Sequence, residues 1–139
     1  KMPFLRIAPI CNGKIYVAPR SYQGEEPGKL DIPMEDYIYA CKTDTDKYAK
    51  EVENKYSNHI TGQPEPRFSL KHLVKETNGV KKTIMLYILP LNDEEQIHFT
   101  GGKFVTPEEI EMNSAQYSSF LKEEVDHLNI VAQMWEEFK

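Results

Sequence analysis

Two short stretches decide how this chain folds: Gly28-Lys29-Leu30-Asp31-Ile32-Pro33 and Lys50-Glu51-Val52-Glu53-Asn54-Lys55. In the first, residues 29–32 read as a short strand closed by Pro33, which has no N–H for a further ladder bond. Gly28 ends a polar loop over 19–28 that also holds Gly24 and Pro27. The second stretch lies in a helix expected over 43–56. Thr43 or Asp44 can cap it, acids fill its first turn, and Tyr48, Val52 and Tyr56 recur every four residues beside Ala49. Between the two, residues 34–41 set Tyr37 and Tyr39 on one face and Ile38 and Ala40 on the other, as a strand does.

Working outward toward the start, residues 4–10 and 14–18 are rich in β formers. Asn12-Gly13 joins them as a hairpin turn, since both residues tolerate positive φ. Downstream, residues 58–66 form a loop with Gly62, Pro64 and Pro66. Residues 68–76 alternate as a half-buried strand, Thr77-Asn78-Gly79 makes a second turn, and residues 82–89 are the most apolar run and the expected central strand. Polar residues 92–96 and Gly101-Gly102 break the chain again. Thr106-Pro107-Glu108-Glu109 is a helix start, with a capping Thr, Pro at the first position and two acids behind it. A last helix, capped by Asn113 or Ser114, is expected to run to Phe138. Its Leu121, Val125, Leu128, Ala132 and Trp135 form one apolar stripe. That stripe fits packing on the sheet or on a second copy of the chain as a homodimer, and both stay open.

The 139 residues suit a single domain over 1–139, with no repeat, low-complexity tract or composition shift. That length buries a core without staples. With 17 Lys+Arg against 22 Asp+Glu, the net charge of −5 excludes generic binding to polyanions: no cation surplus exists to neutralise nucleic acid or an anionic membrane. No apolar run reaches the roughly 18 residues of a membrane helix, and no charged-then-apolar leader appears. Cys11 and Cys41 have neither disulfide-framework nor zinc spacing, so they read as reduced, buried thiols of a cytoplasmic protein.

The order hairpin, short strand ending in Pro, strand, helix, two strands and C-terminal helices resembles the Nudix fold, and the local text agrees. Nudix domains often read Gly-Lys-Trp-Asp-Leu-Pro before their signature, where this chain has GKLDIP at 28–33. A helix carrying Arg-Glu-x-x-Glu-Glu follows, and residues 50–55 occupy that place. Residues 105–110, VTPEEI, resemble the segment that starts the penultimate helix of many Nudix proteins. The resemblance implies an α+β, α/β/α sandwich with a mixed central sheet. It also implies hydrolysis of a nucleoside diphosphate linked to another group. Dense negative charge on a pyrophosphate calls for Mg²⁺ or Mn²⁺, held by clustered carboxylates.

Anchored on Glu51, the motif has its hydrophobe at Val52. The Arg slot holds Lys50, the two later Glu slots hold Asn54 and Lys55, and the upstream Glu slot holds Lys42. Met34-Glu35 replaces the glycine pair. The resemblance therefore implies Glu51 as the surviving metal ligand and catalytic carboxylate, with impaired or altered pyrophosphohydrolase activity. Glu108 and Glu109 are candidates to position or deprotonate water. Arg6, Arg20 and Asn54 are candidates to hold a small nucleotide-type ligand. A non-catalytic module of the same fold, binding a ligand or a protein, is the alternative. Several candidates also have a plainer role. Glu51 and Lys55 suit an exposed i,i+4 pair, Glu108 and Glu109 suit a first helical turn, and Arg20 suits an exposed strand end. His59, His72, His98 and His127 lack ligand spacing, and no GxSxG, Cys-His or phosphate-loop pattern occurs.

Overall fold

In the computed structural model, residues 4–38 and 44–139 are described. Cys41, Lys42, the Thr43 cap and the end of the strand expected over 34–41 lie outside them, as do the side chains of Lys71, His72 and Thr77.

The apolar runs become strands of one mixed sheet. β1 is Phe4–Cys11, β2 Lys14–Pro19, β3 Leu30–Asp31, β4 Met34–Tyr37, β5 Arg67–Thr77, β6 Val80–Pro90 and β7 Lys103–Val105. Asn12 and Gly13 turn the first hairpin at φ of 54° and 75°, and Asn78 and Gly79 the second at 53° and 77°. This positive-φ geometry is why Asn-Gly was the decisive signal. Strand order is β3-β2-β1-β6-β5, with β4 on β1 and β7 on β2. β1 runs parallel to β6 along one edge. It divides the other between β4, at residues 4–7, and β2, at residues 10–11. Paired on both sides, all eight residues of β1 are buried.

Among the described residues, three α-helices cover the two faces: α1 (Thr45–Lys55), α2 (Pro107–Met112) and α3 (Ser119–Phe138). Ala49 and Val52 of α1 pack on Leu5, Ile7, Tyr87 and Leu89. The opposite face carries the α3 stripe: Leu121, Val125, Leu128 and Ala132 meet Ala8, Ile10, Val17 and Leu86, with Trp135 partly buried against them. The stripe is thus taken up by the sheet. The expected α/β/α sandwich with a mixed sheet is what forms. Among the described residues, no helix is long and apolar enough to cross a membrane.

Asp44 caps α1, accepting from the Lys47 N–H at 3.1 Å. Thr106 caps α2 in a capping box with Glu109. The cap of α3 differs from expectation. It is Ser118, whose Oγ accepts from the Leu121 N–H at 3.1 Å, and not Asn113 or Ser114. The reason is Tyr117: it is extended and 2% exposed, and Ser118 donates its N–H to Leu30 O at 2.9 Å. Burying that ring against β3 ends the short turn at 114–116 and starts a new helix. Cys11 is a buried free thiol whose pKa is pushed up by burial, as an inert core cysteine's would be.

Candidate functional site

A charged residue in the apolar run of β1 must bring partners, because a lone buried cation is expensive. Alternation along β1 turns Leu5 and Ile7 toward α1 and Arg6, with Ala8, toward α3. Arg6 is fully buried. Its guanidinium spends all five N–H groups. Nε and Nη2 form a bidentate pair with Glu124 at 2.8 and 2.7 Å. Nη2 and Nη1 form another with Asp31 at 2.7 and 3.2 Å. The last Nη1 donor goes to Glu35 Oε1. Register explains that contact, since Glu35 stands directly across from Arg6 in the β4–β1 ladder. Asp31 is held by its place opposite Ala18 on β2, and Glu124 by its place on the sheet side of α3.

Arg20, just past β2, joins the same cluster. It donates from Nη1 to Asp31 Oδ2 at 2.5 Å and from Nε to the Glu25 carbonyl at 2.7 Å. Its Nη1 also lies 3.6 Å from Glu35 Oε2. Phe120 of α3 packs beneath both guanidinium groups, 5.0 and 5.4 Å from their carbons.

Three carboxylates therefore face two guanidinium groups. Burial works against the Arg6 charge, but Asp31 and Glu124 outweigh it and raise its pKa well above the usual value. Burial likewise opposes ionisation of Asp31, yet Arg6 and then Arg20 hold its pKa below the ordinary range. Glu124 goes the other way: burial raises it to about 6, with Arg6 only partly offsetting this and Asp31 and Glu35 adding repulsion. Burial also raises Glu35.

This cluster forms one wall of a cleft of about 520 Å³ that Arg20, Asp31, Glu35, Tyr56, His59 and Phe99 line. The facing wall is aromatic. His59 stacks on Phe99 with ring centres 3.9 Å apart and planes 7° from parallel. Tyr56 lies 5.8 Å from Phe99 and donates its hydroxyl to the Glu35 carbonyl at 3.0 Å. The loop holding Phe99 is tied to β2: the Phe99 N–H donates to Tyr16 Oη at 2.8 Å. Gly102 permits this, because a Cβ there would sit 2.0 Å from the same oxygen.

Solved structures share this architecture. A NUDIX hydrolase from Nitrosomonas europaea matches with TM-score 0.62 and 10% identity, over 91% of this chain and 86% of that one. This chain has the Nudix fold. The E. coli dihydroneopterin triphosphate pyrophosphohydrolase matches with TM-score 0.60 and 15% identity over 96% and 97% of the two chains. A C. elegans Ap4A hydrolase binary complex matches with 0.55 and 13% over 94% and 96%. No protein-family model and no curated protein sequence matches this chain.

Within the Nudix fold, the candidates read from the sequence are scattered. Glu51 is exposed and lines a shallow groove with Asp36, Tyr37, Tyr48 and Lys55. Lys55 pairs with Asp36, not with Glu51 as helical spacing suggested. Asn54 lines a separate groove with Lys50 and Glu53. Glu53, two residues on from Glu51, is buried and accepts from Lys50 Nζ at 2.9 Å. Glu109 turns back on Thr106 at the start of α2, and Glu108 is exposed beside it. Arg6 faces no cleft and has no donor left to offer. Of the six, only Arg20 lines the cleft. Asp31, Glu124, Tyr56, His59 and Phe99 were not selected from the sequence. The available signals were an Arg between Leu5 and Ile7 and a Glu inside the α3 stripe.

The residues on α1 do not fit a divalent cation. Among the described residues, no group of three or more His, Cys, Asp or Glu could hold a metal. Mg²⁺ takes hard oxygen ligands in an octahedral shell. Glu51 offers one carboxylate, while Glu53 on the same helix and Asp36 on β4 already hold ammonium groups.

Proposed function

We propose that this chain is a Nudix-fold binding module that takes a small nucleotide-type ligand in the cleft beside Arg20, with impaired metal-dependent pyrophosphohydrolase activity. One observation carries the reading. On the helix that matches the signature, Glu51 is the one carboxylate at a ligand slot, Asn54 and Lys55 fill the two later slots, and the nearby Glu53 and Asp36 are paired with Lys50 and Lys55. A pyrophosphate attacked by water has to have its charge neutralised, and two tethered ammonium groups already neutralised by Glu53 and Asp36 cannot supply that. The stacked His59–Phe99 pair offers a flat face for a heterocycle. Proteins of the same fold are named for acting on Ap4A and on dihydroneopterin triphosphate, which supports the ligand class.

The test is an incubation of the purified protein with Mg²⁺ or Mn²⁺ and three substrate sets: nucleoside diphosphate sugars, dinucleoside polyphosphates and nucleoside triphosphates. The expected outcome is no turnover, with a ligand-dependent rise in melting temperature. Turnover that disappears in Glu51→Gln would establish a hydrolase with an altered metal site and overturn the proposal.

A further inference from the structure

We infer that the cleft selects, through Glu35, a flat ligand presenting a pair of N–H donors, the amidine-type edge of a heterocycle, and keeps a pyrophosphate away from the Arg6–Arg20 centre. This rests on the ligand-binding reading above and specifies its chemistry.

The charge count argues against a phosphate there. Asp31, Glu35 and Glu124 outnumber Arg6 and Arg20 by one. All five Arg6 donors are committed. Arg20 already gives Nη1 to Asp31 and Nε to the chain. A pyrophosphate would add several negative charges to a cluster that is already one short of cations. Glu35 itself fills the place an incoming anion would take: its Oε1 receives the last Arg6 donor.

The same carboxylate is the accessible one. Its side chain is 22% exposed, against 1% for Asp31 and for Glu124. Its Oε2 is 3.6 Å from Arg20 Nη1, beyond hydrogen-bond reach, and Glu35 lines the cleft, so this carboxylate keeps acceptor capacity for a ligand there. A carboxylate held this way accepts N–H groups with charge assistance. The ring bearing those groups meets the wall formed by Tyr56, His59 and Phe99, which Tyr56 ties to the backbone of Glu35 itself. One residue thus joins the acceptor to the stacking face, and a glycine at 35 would supply neither charge nor acceptor.

The test titrates the full chain, in metal-free buffer, with benzamidine, guanosine and inorganic pyrophosphate by calorimetry. Benzamidine and guanosine are expected to bind and pyrophosphate not to. Glu35→Gln is expected to weaken both binders about tenfold or more, and Glu35→Gly to admit pyrophosphate. Pyrophosphate binding to the unaltered protein as tightly as benzamidine overturns the inference, as does failure of both donor probes to bind, or Glu35→Gln with unchanged affinities. Circular dichroism melts show whether the variants fold; if they do not, the order of the three probes on the unaltered chain decides alone. Metal-dependent turnover of a nucleotide would overturn the binding-module reading while leaving that order intact. Pyrophosphate binding without turnover would overturn the Glu35 inference and leave the module.

Discussion

The two charged regions of this molecule are built on opposite terms. Around Arg6, five charged groups from β1, β3, β4, α3 and the end of β2 converge, Arg6, Asp31 and Glu124 fully buried and Glu35 and Arg20 at the cleft wall, and every guanidinium donor of Arg6 is used. Along α1, charges stand in isolated pairs: Lys55 on Asp36 at the surface, and half-exposed Lys50 on buried Glu53. In the first region, removal of any partner strands a charge in low dielectric. In the second, water replaces what Lys55 and Asp36 lose. The contrast shows why the position matching a known signature is the weaker place to look for consequence here. The residues with most at stake sit in the sheet.

The largest expected effect follows directly. Arg6→Met leaves three carboxylates facing one guanidinium, and breaking a buried ion network in this way costs about 3–5 kcal/mol. Urea unfolding measures it; a loss below about 1 kcal/mol would show that the network adds little and erase the contrast. Glu124 comes next. Its pKa is raised to about 6 in the folded state from an ordinary 4.5, so between those values the native protein holds a proton that the unfolded chain has released. Stability then falls as pH rises through that window, by about 2 kcal/mol for this group. Asp31, held below its ordinary range, works the other way, and its contribution is lost only at lower pH. Unfolding curves at pH 4.5 and 6.5 should show a flatter pH dependence in Glu124→Gln than in the unaltered protein; equal slopes would move the proton elsewhere.

A smaller effect is expected where α1 is anchored. Tyr87 Oη lies 2.7 Å from Asp46 Oδ1 and 2.7 Å from Thr45 Oγ1, so Tyr87→Phe should cost about 1 kcal/mol by removing that link to the start of the helix. The smallest belongs to Lys55→Gln. An exposed pair such as Lys55–Asp36 contributes about 0.5 kcal/mol or less. A thermal melt lowered as much as that of Arg6→Met would mean that the surface pairs carry the stability and the buried hub does not.

Local signals were legible wherever chemistry acts over a few residues. Asn12-Gly13, Asn78-Gly79, Thr106-Pro107 and the α3 stripe each specify a turn, a helix start or a buried face by their own stereochemistry, and each appears in the structure as read. The cap of α3 departs from the expectation at 113–114 because the deciding residue, Tyr117, is buried against Leu30, far away in sequence. The pair expected from Glu51 and Lys55 failed for the same reason: β4 brings Asp36 to Lys55, and an i,i+4 spacing has no knowledge of a neighbouring strand. Glu53 looked like one more helix-surface acid until the fold buried it against Lys50.

The sequence by itself determined the element order, the turns, the amphipathic faces and with them the sandwich, because these follow from backbone preferences and apolar periodicity along the chain. It also determined which side chains stand at 50–55: Glu51 and Glu53 beside Lys50, Asn54 and Lys55. What only the tertiary structure decided is where charge accumulates. Arg6, Asp31, Glu35 and Glu124 are separated by as many as 118 positions. They meet because β1 pairs with β4, β2 carries β3, and α3 lies across the sheet. A guanidinium can be counted from sequence, but whether its five donors face a ligand or its own protein depends on which strands stand beside it.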